Sequence, residues 1–439
     1  MVVQRYPPIT RLAREGAMQL SRRKLLGAAL GASAVAVLPA CSNSGGDSKT
    51  AKKIEVYSWW SGPGEGEGLE ALIERFKKDN PGVEFVNAAV AGGSGTQAKQ
   101  ALTTRLLAND PPDSYQLHAG LEAASDIKAG KLEDLTALYQ ANGWTSKFPK
   151  GLVDKLTIDG KTYAVPVNIH RSNLLWYKPA KLAEWGIAGP PKTWSEFLTQ
   201  AETLKGKGVV PLSVGQTWTQ MHLLENVLLG ELGTAKYNGL WTGGTDWKSA
   251  EVLAALDMFK RILAVATVST DDWQPTMDKV IAGTAAYNVM GDWAAGYLQG
   301  AKALKYKTDY DVVATPGSTG VYNFLADSFT LPKGAPHKAQ AEAWLKLCGS
   351  VEGQDLFNPK KGSVPARLDS DKSKYTDYLA WALTEWQGTS TVVVGSLVHG
   401  VVANNAWKAE IEKAYGVFVQ DKNTASFADA VAKAYAANK

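Results

Sequence analysis

Cysteine is almost missing from this chain. Two occur in 439 residues, Cys41 and Cys348. If Cys41 belongs to a processed leader, Cys348 stands alone, no internal disulfide can form, and burial must stabilise the fold by itself. Histidine is scarce as well, with five residues spread along the chain. A zinc site needs several ligands at suitable spacing, and no His/Cys cluster offers them, so neither a metal nor a cofactor is expected. Long apolar runs are also lacking. The most apolar stretch, Leu25 to Ala40, falls short of the about 20 residues that a spanning helix needs. Catalytic signatures are absent too: there is no G-x-S-x-G elbow and no H-E-x-x-H helix. DGKT at Asp159 to Thr162 has the end of a phosphate loop, but Lys155 stands where the leading glycine belongs.

What is present begins with MQLSRRKLLGAALGASAVAVLPAC. It opens on Arg22, Arg23 and Lys24, continues in small and apolar residues, and closes at Cys41. A charged start, an apolar middle and small residues before a cut are the layout of an export signal. SRRKLL loosely resembles a twin-arginine signal. LPAC resembles a bacterial lipobox, which implies lipidation of Cys41 and a membrane anchor. Residues 1–41 are expected to form this signal, and 42–52 a polar, flexible tether. Residues 1–41 hold six Lys and Arg and one acid, leaving 41 basic and 42 acidic residues beyond them. The net charge of +4 therefore belongs to the leader, and nothing favours nucleic acid as a partner. Cys348, in EAWLKLCGS, reads as a small buried hydrophobe on a helix face beside Trp344 and Leu345.

The remaining chain of about 400 residues is long enough for two domains. KKIEVYSWW reads as a strand. GEGLEALIERFKKDNPGVEFVNAAV reads as an amphipathic helix stopped at Asn80-Pro81, then a second strand. GTQAKQALTTRLLANDPPDSYQLHAG repeats the scheme. Helices between strands imply a parallel sheet covered on both faces, with ligands at the carboxyl ends of the strands. Trp59, Trp60 and His118 fall there. Successive strand residues point to opposite faces, so both tryptophans can share one site only if the strand has ended. DGKTYAVPVNIHRSNLLWYKP reads as a hairpin running into an extended segment. From Thr193 to about Val265 the pattern is mostly helical, strands return at AAYNVMGDW and YDVVATPG, and the tail from Tyr375 reads as helical.

The lipobox, IEVYSWW, DNPGV, YAVPVNIHRSNLLWY, GIAGPPKTWSEF, NVMGDWAAGY and KKGSVPAR follow one another in that order. Together they resemble bacterial extracellular solute-binding proteins of sugar ABC transporters, nearest the glucose/galactose-binding subgroup. The resemblance covers residues 52–439. It implies an α/β, periplasmic-binding-protein-like fold, with two α/β lobes joined by a three-crossing hinge and a ligand cleft between them. The expected lobes are 53–167 with 328–367, and 168–327 with 368–439, with crossings near Asn168, Asp327 and Arg367. It further implies a non-enzymatic monomer, held at the membrane and facing the periplasm or the cell exterior. Such a protein would take a monosaccharide and deliver it to an ABC permease.

A pyranose offers C–H faces to aromatic rings and hydroxyls to charged side chains, whose hydrogen bonds are the stronger kind. The chain holds 15 tryptophans, too many for the count alone to be informative. The resemblance carries sugar contact onto Trp59 and Trp60, Glu65 in the glycine-rich loop, His118, Asp327, Lys361 and His399. Glu67 and Lys360 are register competitors. Trp273 would add a ring from the second lobe, with Trp218 and Trp247 as competitors. Gln116, two residues before His118 on the same strand face, would reach the same ligand. Leu325 stands where some family members carry Asn. His170 reads as a hinge hydrogen-bonder, and His222 and His337 as helix and surface residues. A glycoside hydrolase would need two flanking carboxylates, for which Glu65 and Asp327 are the nearest pair. A sensor lipoprotein would share the fold and the site.

Overall fold

The structure is a computed structural model and describes residues 52–438. The leader, Cys41 and most of the expected tether lie outside the described residues. Among them no helix is long and apolar enough to cross a membrane.

Two five-stranded sheets carry the two lobes. The first runs in the order Glu84–Asn87, Lys53–Tyr57, Ser114–His118, Asp327–Thr330, Ala164–Pro166. Its first three strands are parallel, as expected. Asp327–Thr330 then runs antiparallel to both of its neighbours, so the sheet is mixed rather than all parallel. The expectation failed because this strand arrives from far along the chain rather than through a local crossover helix. The second sheet runs Ala266–Val268, Val210–Val214, Ala285–Val289, Leu174–Tyr177, Asp311–Ala314. Val210–Val214 lies inside the stretch read as helical. Its short apolar run between two helices has no alternation to mark it. A three-stranded sheet joins Val392–Gly395, Val321–Leu325 and His170–Arg171. Val392–Gly395 likewise interrupts the tail expected to be helical.

Helices cover the sheets for the reasons the sequence suggests. Gly66–Asp79 buries Leu69, Leu72, Ile73 and Phe76, one face at helical spacing. It ends where Asn80 caps it, both its N–H and its side-chain amide donating to the Phe76 carbonyl, and Pro81 follows. In Lys338–Cys348 the buried face is Ala341, Trp344, Leu345 and Cys348. Cys348 is a free, buried thiol, pushed well above its ordinary pKa by burial. Trp344 is fully buried and meets Phe85 at 5.3 Å, Phe329 at 5.2 Å and Phe76 at 6.1 Å.

The chain passes between the lobe sheets in extended segments. Asn168 lies between Ala164–Pro166 and His170–Arg171. Ala326 alone separates Val321–Leu325 from Asp327–Thr330. Beyond Arg367, near which the third crossing is expected, the Tyr375 hydroxyl donates to Asp355 and the Tyr378 ring lies 5.7 Å from that of Trp176. Trp344→Ala should cost about 3–5 kcal/mol, the range for emptying a buried tryptophan site, in urea unfolding followed by circular dichroism. A loss under about 1 kcal/mol would mean the aromatic cluster does not anchor the first lobe.

Candidate functional site

Asp327 sits at the first residue of its strand, and antiparallel register places it opposite His118. It is 3% exposed. Gln116 Nε2 donates to its Oδ1 at 2.8 Å and Asn168 Nδ2 to its Oδ2 at 2.8 Å. The Asp327 N–H in turn donates to Asn168 Oδ1 at 2.8 Å, so two hinge passages hold each other. His118 Nε2 and His170 Nε2 approach the two oxygens at 3.5 Å. Burial alone would raise this carboxyl, but His118, His170 and Lys361 outweigh it and hold it below the usual carboxylate range. Asp327 is thus a fixed, ionised acceptor.

The walls are aromatic. The first strand ends at Tyr57, so the alternation that would separate Trp59 from Trp60 no longer applies and both line one cleft. Gly95 lies against the Trp59 ring. It has φ +82°, and a Cβ there would come within 2.7 Å of the ring, so only glycine suits both the backbone and the approach. Lys99 Nζ stands 4.7 Å from the centre of the Trp59 ring. Trp60 packs on Phe357 at 4.9 Å. Lys361, the last residue of the helix Val351–Lys361, is 2% exposed, lies 5.7 Å from the Trp60 ring centre and pairs with Glu65 at 3.2 Å. Burial pushes the Glu65 carboxyl up against the pull of Lys361. Across the cleft stand Trp218, Trp273 and Trp293 from the second lobe. Asp272 ties the lobes together: its Oδ1 accepts Trp218 Nε1 at 2.9 Å and the Trp273 N–H, and its Oδ2 accepts the Gly93 N–H at 3.1 Å.

Histidines form the floor. His118 Nδ1 bonds Glu122 at 2.7 Å. Glu122 also accepts Lys99 at 2.8 Å. Burial would raise its carboxyl, but Lys99 and His118 hold it far below the carboxylate range. His170 Nδ1 bonds Asp292, and burial lowers the His170 pKa. His399 is 2% exposed and meets His118 and Trp293 at 5.3 Å each. Behind it, His222, Glu225 and His399 bring ligand-type atoms within 4.8 Å of one another. Both Glu225 oxygens already face N–H and O–H donors, whose positive ends would repel a cation.

The cleft encloses about 170 Å³. Of the residues expected there, Trp59, Trp60, Glu65, His118, Trp273, Asp327, Lys361 and His399 all line it. Gln116 does not; it stands behind Asp327 and also accepts the Trp59 N–H at 3.3 Å. Its side chain follows the strand face but is spent on holding the carboxylate. Glu67 accepts the Gly64 N–H at 2.8 Å and is not in the lining, Lys360 is exposed, and Trp247 is buried against Trp241 among helices. Leu325 lies in the lining, and so does His170 beside its hinge contact. Trp293, Asp272 and Gln274 were missed. For the first two, the runs GDW and DDW were the available signal, acids beside a tryptophan at an element start. His222 is on a helix as expected, but fully buried behind the cleft.

Two α/β lobes, linked by extended passages and shut over a polar, tryptophan-walled cleft, define a two-lobed binding protein, the fold expected from the sequence. The family model for bacterial extracellular solute-binding protein matches residues 59–355, and the chain belongs to that family. It is 32% identical over 365 residues to an uncharacterized ABC transporter extracellular-binding protein of Pyrococcus horikoshii, covering 82% of each chain. It is 30% identical over 392 residues to the xylose/arabinose-binding protein XacG of Haloferax volcanii, covering 87% of this chain and 84% of that one. A solved chitin oligosaccharide binding protein superposes with a TM-score of 0.75 at 18% identity, over 88% of this chain and 99% of that one.

Removing the ammonium in Lys361→Met should move the Glu65 titration to still higher pH, because burial then acts unopposed by its nearest cation. Carboxyl-carbon NMR titration of the variant measures this. An unchanged Glu65 midpoint would mean the pair is not formed in solution.

Proposed function

We propose that this protein is the sugar receptor of an ABC importer and takes a single monosaccharide, D-glucose or D-galactose, between its lobes. In this reading Cys41 carries a lipid anchor and the closed form docks on the permease. The observation that carries the sugar class is the pairing of rings from both lobes with a fixed carboxylate. Trp59 and Trp60 of one lobe and Trp218, Trp273 and Trp293 of the other line one cleft, and Asp327 lines it with them, both of its oxygens already oriented. A pyranose fits such a sandwich, with its C–H faces on the rings and its hydroxyls on Asp327, Lys361, Glu65, His118 and His399.

The relatives' names range from pentoses to chitin oligosaccharides, so the monosaccharide reading rests on the rings and the carboxylate that line this cleft together. Delivery would follow from closure. Ligand touching both lobes favours the closed state over the open one by its differential contacts.

The family and its named relatives, all binding proteins, favour a receptor over a glycoside hydrolase.

Calorimetric titration of the purified protein with D-glucose, D-galactose, mannose, xylose and maltose tests this reading. Glucose or galactose should bind 1:1, with maltose much weaker. Asp327→Ala should lose at least about 100-fold, the scale of one or two hydrogen bonds to a charged group. Heat with maltose alone would move the site to oligosaccharides, and silence across the panel would remove the monosaccharide claim.

A further inference from the structure

Glu225 is fully buried on the helix Thr217–Thr242 and lies behind the cleft wall rather than in it. Its Oε2 accepts the N–H groups of Leu397 at 2.7 Å and Val398 at 3.1 Å. Ser396 Oγ lies 2.9 Å from Oε1 and 3.0 Å from Oε2. The same hydroxyl is 2.8 Å from His399 Nδ1 and accepts the His399 N–H at 3.3 Å. A serine hydroxyl has one proton to give and two lone pairs. An ionised carboxylate has only lone pairs, so the Ser396 proton must point to Glu225. The oxygen then has to accept from His399 Nδ1, which therefore carries the ring proton. Burial lowers the His399 pKa well below its ordinary value, so the ring is neutral with one proton to place.

We propose that Glu225 is a positioning residue for ligand recognition: acting through Ser396, it holds the His399 proton on Nδ1 and presents Nε2 to the cleft as a hydrogen-bond acceptor. His399 then selects a ligand hydroxyl that donates, and refuses a group that can only accept, such as a fluorine at that carbon. That His399 meets a sugar rests on the receptor reading above; the tautomer itself does not.

The relay has a pH-sensitive side. Burial pushes the Glu225 carboxyl up to about 7. Once protonated, it can donate to Ser396, whose hydroxyl then donates to Nδ1 and moves the ring proton to Nε2. Binding should therefore weaken as pH falls through that region. The other groups facing the pair are His118, His222, Lys99 and Lys408 around His399, and His222 Nδ1 at 3.7 Å from Glu225.

Nitrogen NMR of the histidine-labelled protein at pH 8, with His399 assigned by the loss of its signals in His399→Gln, reads the tautomer without any ligand. The wild type should show the Nδ1–H form. Ser396→Ala removes the acceptor, and Glu225→Gln turns an amide donor toward Ser396; both should shift His399 toward Nε2–H. In calorimetry with D-glucose, both variants should bind about tenfold more weakly. One of the mono-deoxyfluoro glucoses should be refused by the wild type and regain relative affinity in the variants. The fall in affinity with pH should flatten in Glu225→Gln. An Nε2–H signal in the wild type, or an unchanged tautomer in both variants, would overturn the relay. Failure of glucose to bind a wild type that shows Nδ1–H would overturn the receptor reading alone.

Discussion

A single buried carboxylate organises this molecule. A charge taken out of water is costly unless it is paired and hydrogen-bonded, and Asp327 recruits its partners from every part of the fold that meets at the hinge. Gln116 comes from the third strand of the first lobe, Asn168 from the first passage between the lobes, His170 from the strand that follows it, and Lys361 from the end of a distant helix. Asp327 itself begins the strand just after another passage. Satisfying one charge therefore sets where two hinge segments and three elements must lie. The ligand-facing geometry is a consequence of that requirement.

The closed arrangement is sustained by close backbone approach as well as by polar contacts. A Cβ at Gly64 would fall 2.6 Å from the Tyr297 backbone, and one at Gly120 would fall 2.5 Å from the Val401 carbonyl oxygen. These contacts have nothing to do with sugar chemistry, yet they bring the two lobes close enough for tryptophans from both to line one cleft. The Asp272 carboxylate, shared between Gly93 of one lobe and Trp218 and Trp273 of the other, adds a polar bridge at the rim. Interlocking of this kind favours two discrete arrangements over a continuous range.

Much of the site was readable because its residues sit at element ends, where sequence punctuation is strongest. Trp59 and Trp60 follow the last strand residue, Lys361 precedes the Gly362 that stops a helix, and Trp273 starts one after its Asp272 cap. Gln116 stands behind Asp327 rather than in the lining, and the sequence could not show this for the opposite reason. Alternation gives the face of a strand but not which neighbour on that face will claim the side chain. Val210–Val214 and Val392–Gly395 escaped because strands this short carry no periodic signal, and their partners lie on strands remote in sequence.

The first three strands with the helices between them, and the family motifs, were written locally, since each depends on residues within a few positions of one another. The mixed direction of the first sheet, the clamp between Asn168 and Asp327, and the link from Glu225 through Ser396 to His399 were not. Those contacts join residues 159, 171 and 3 positions apart, and even the shortest has meaning only because the helix bearing Glu225 packs behind it. Local propensity determines which elements form. Only the packed chain determines which buried polar atoms must answer one another, because that is a property of the space they come to share.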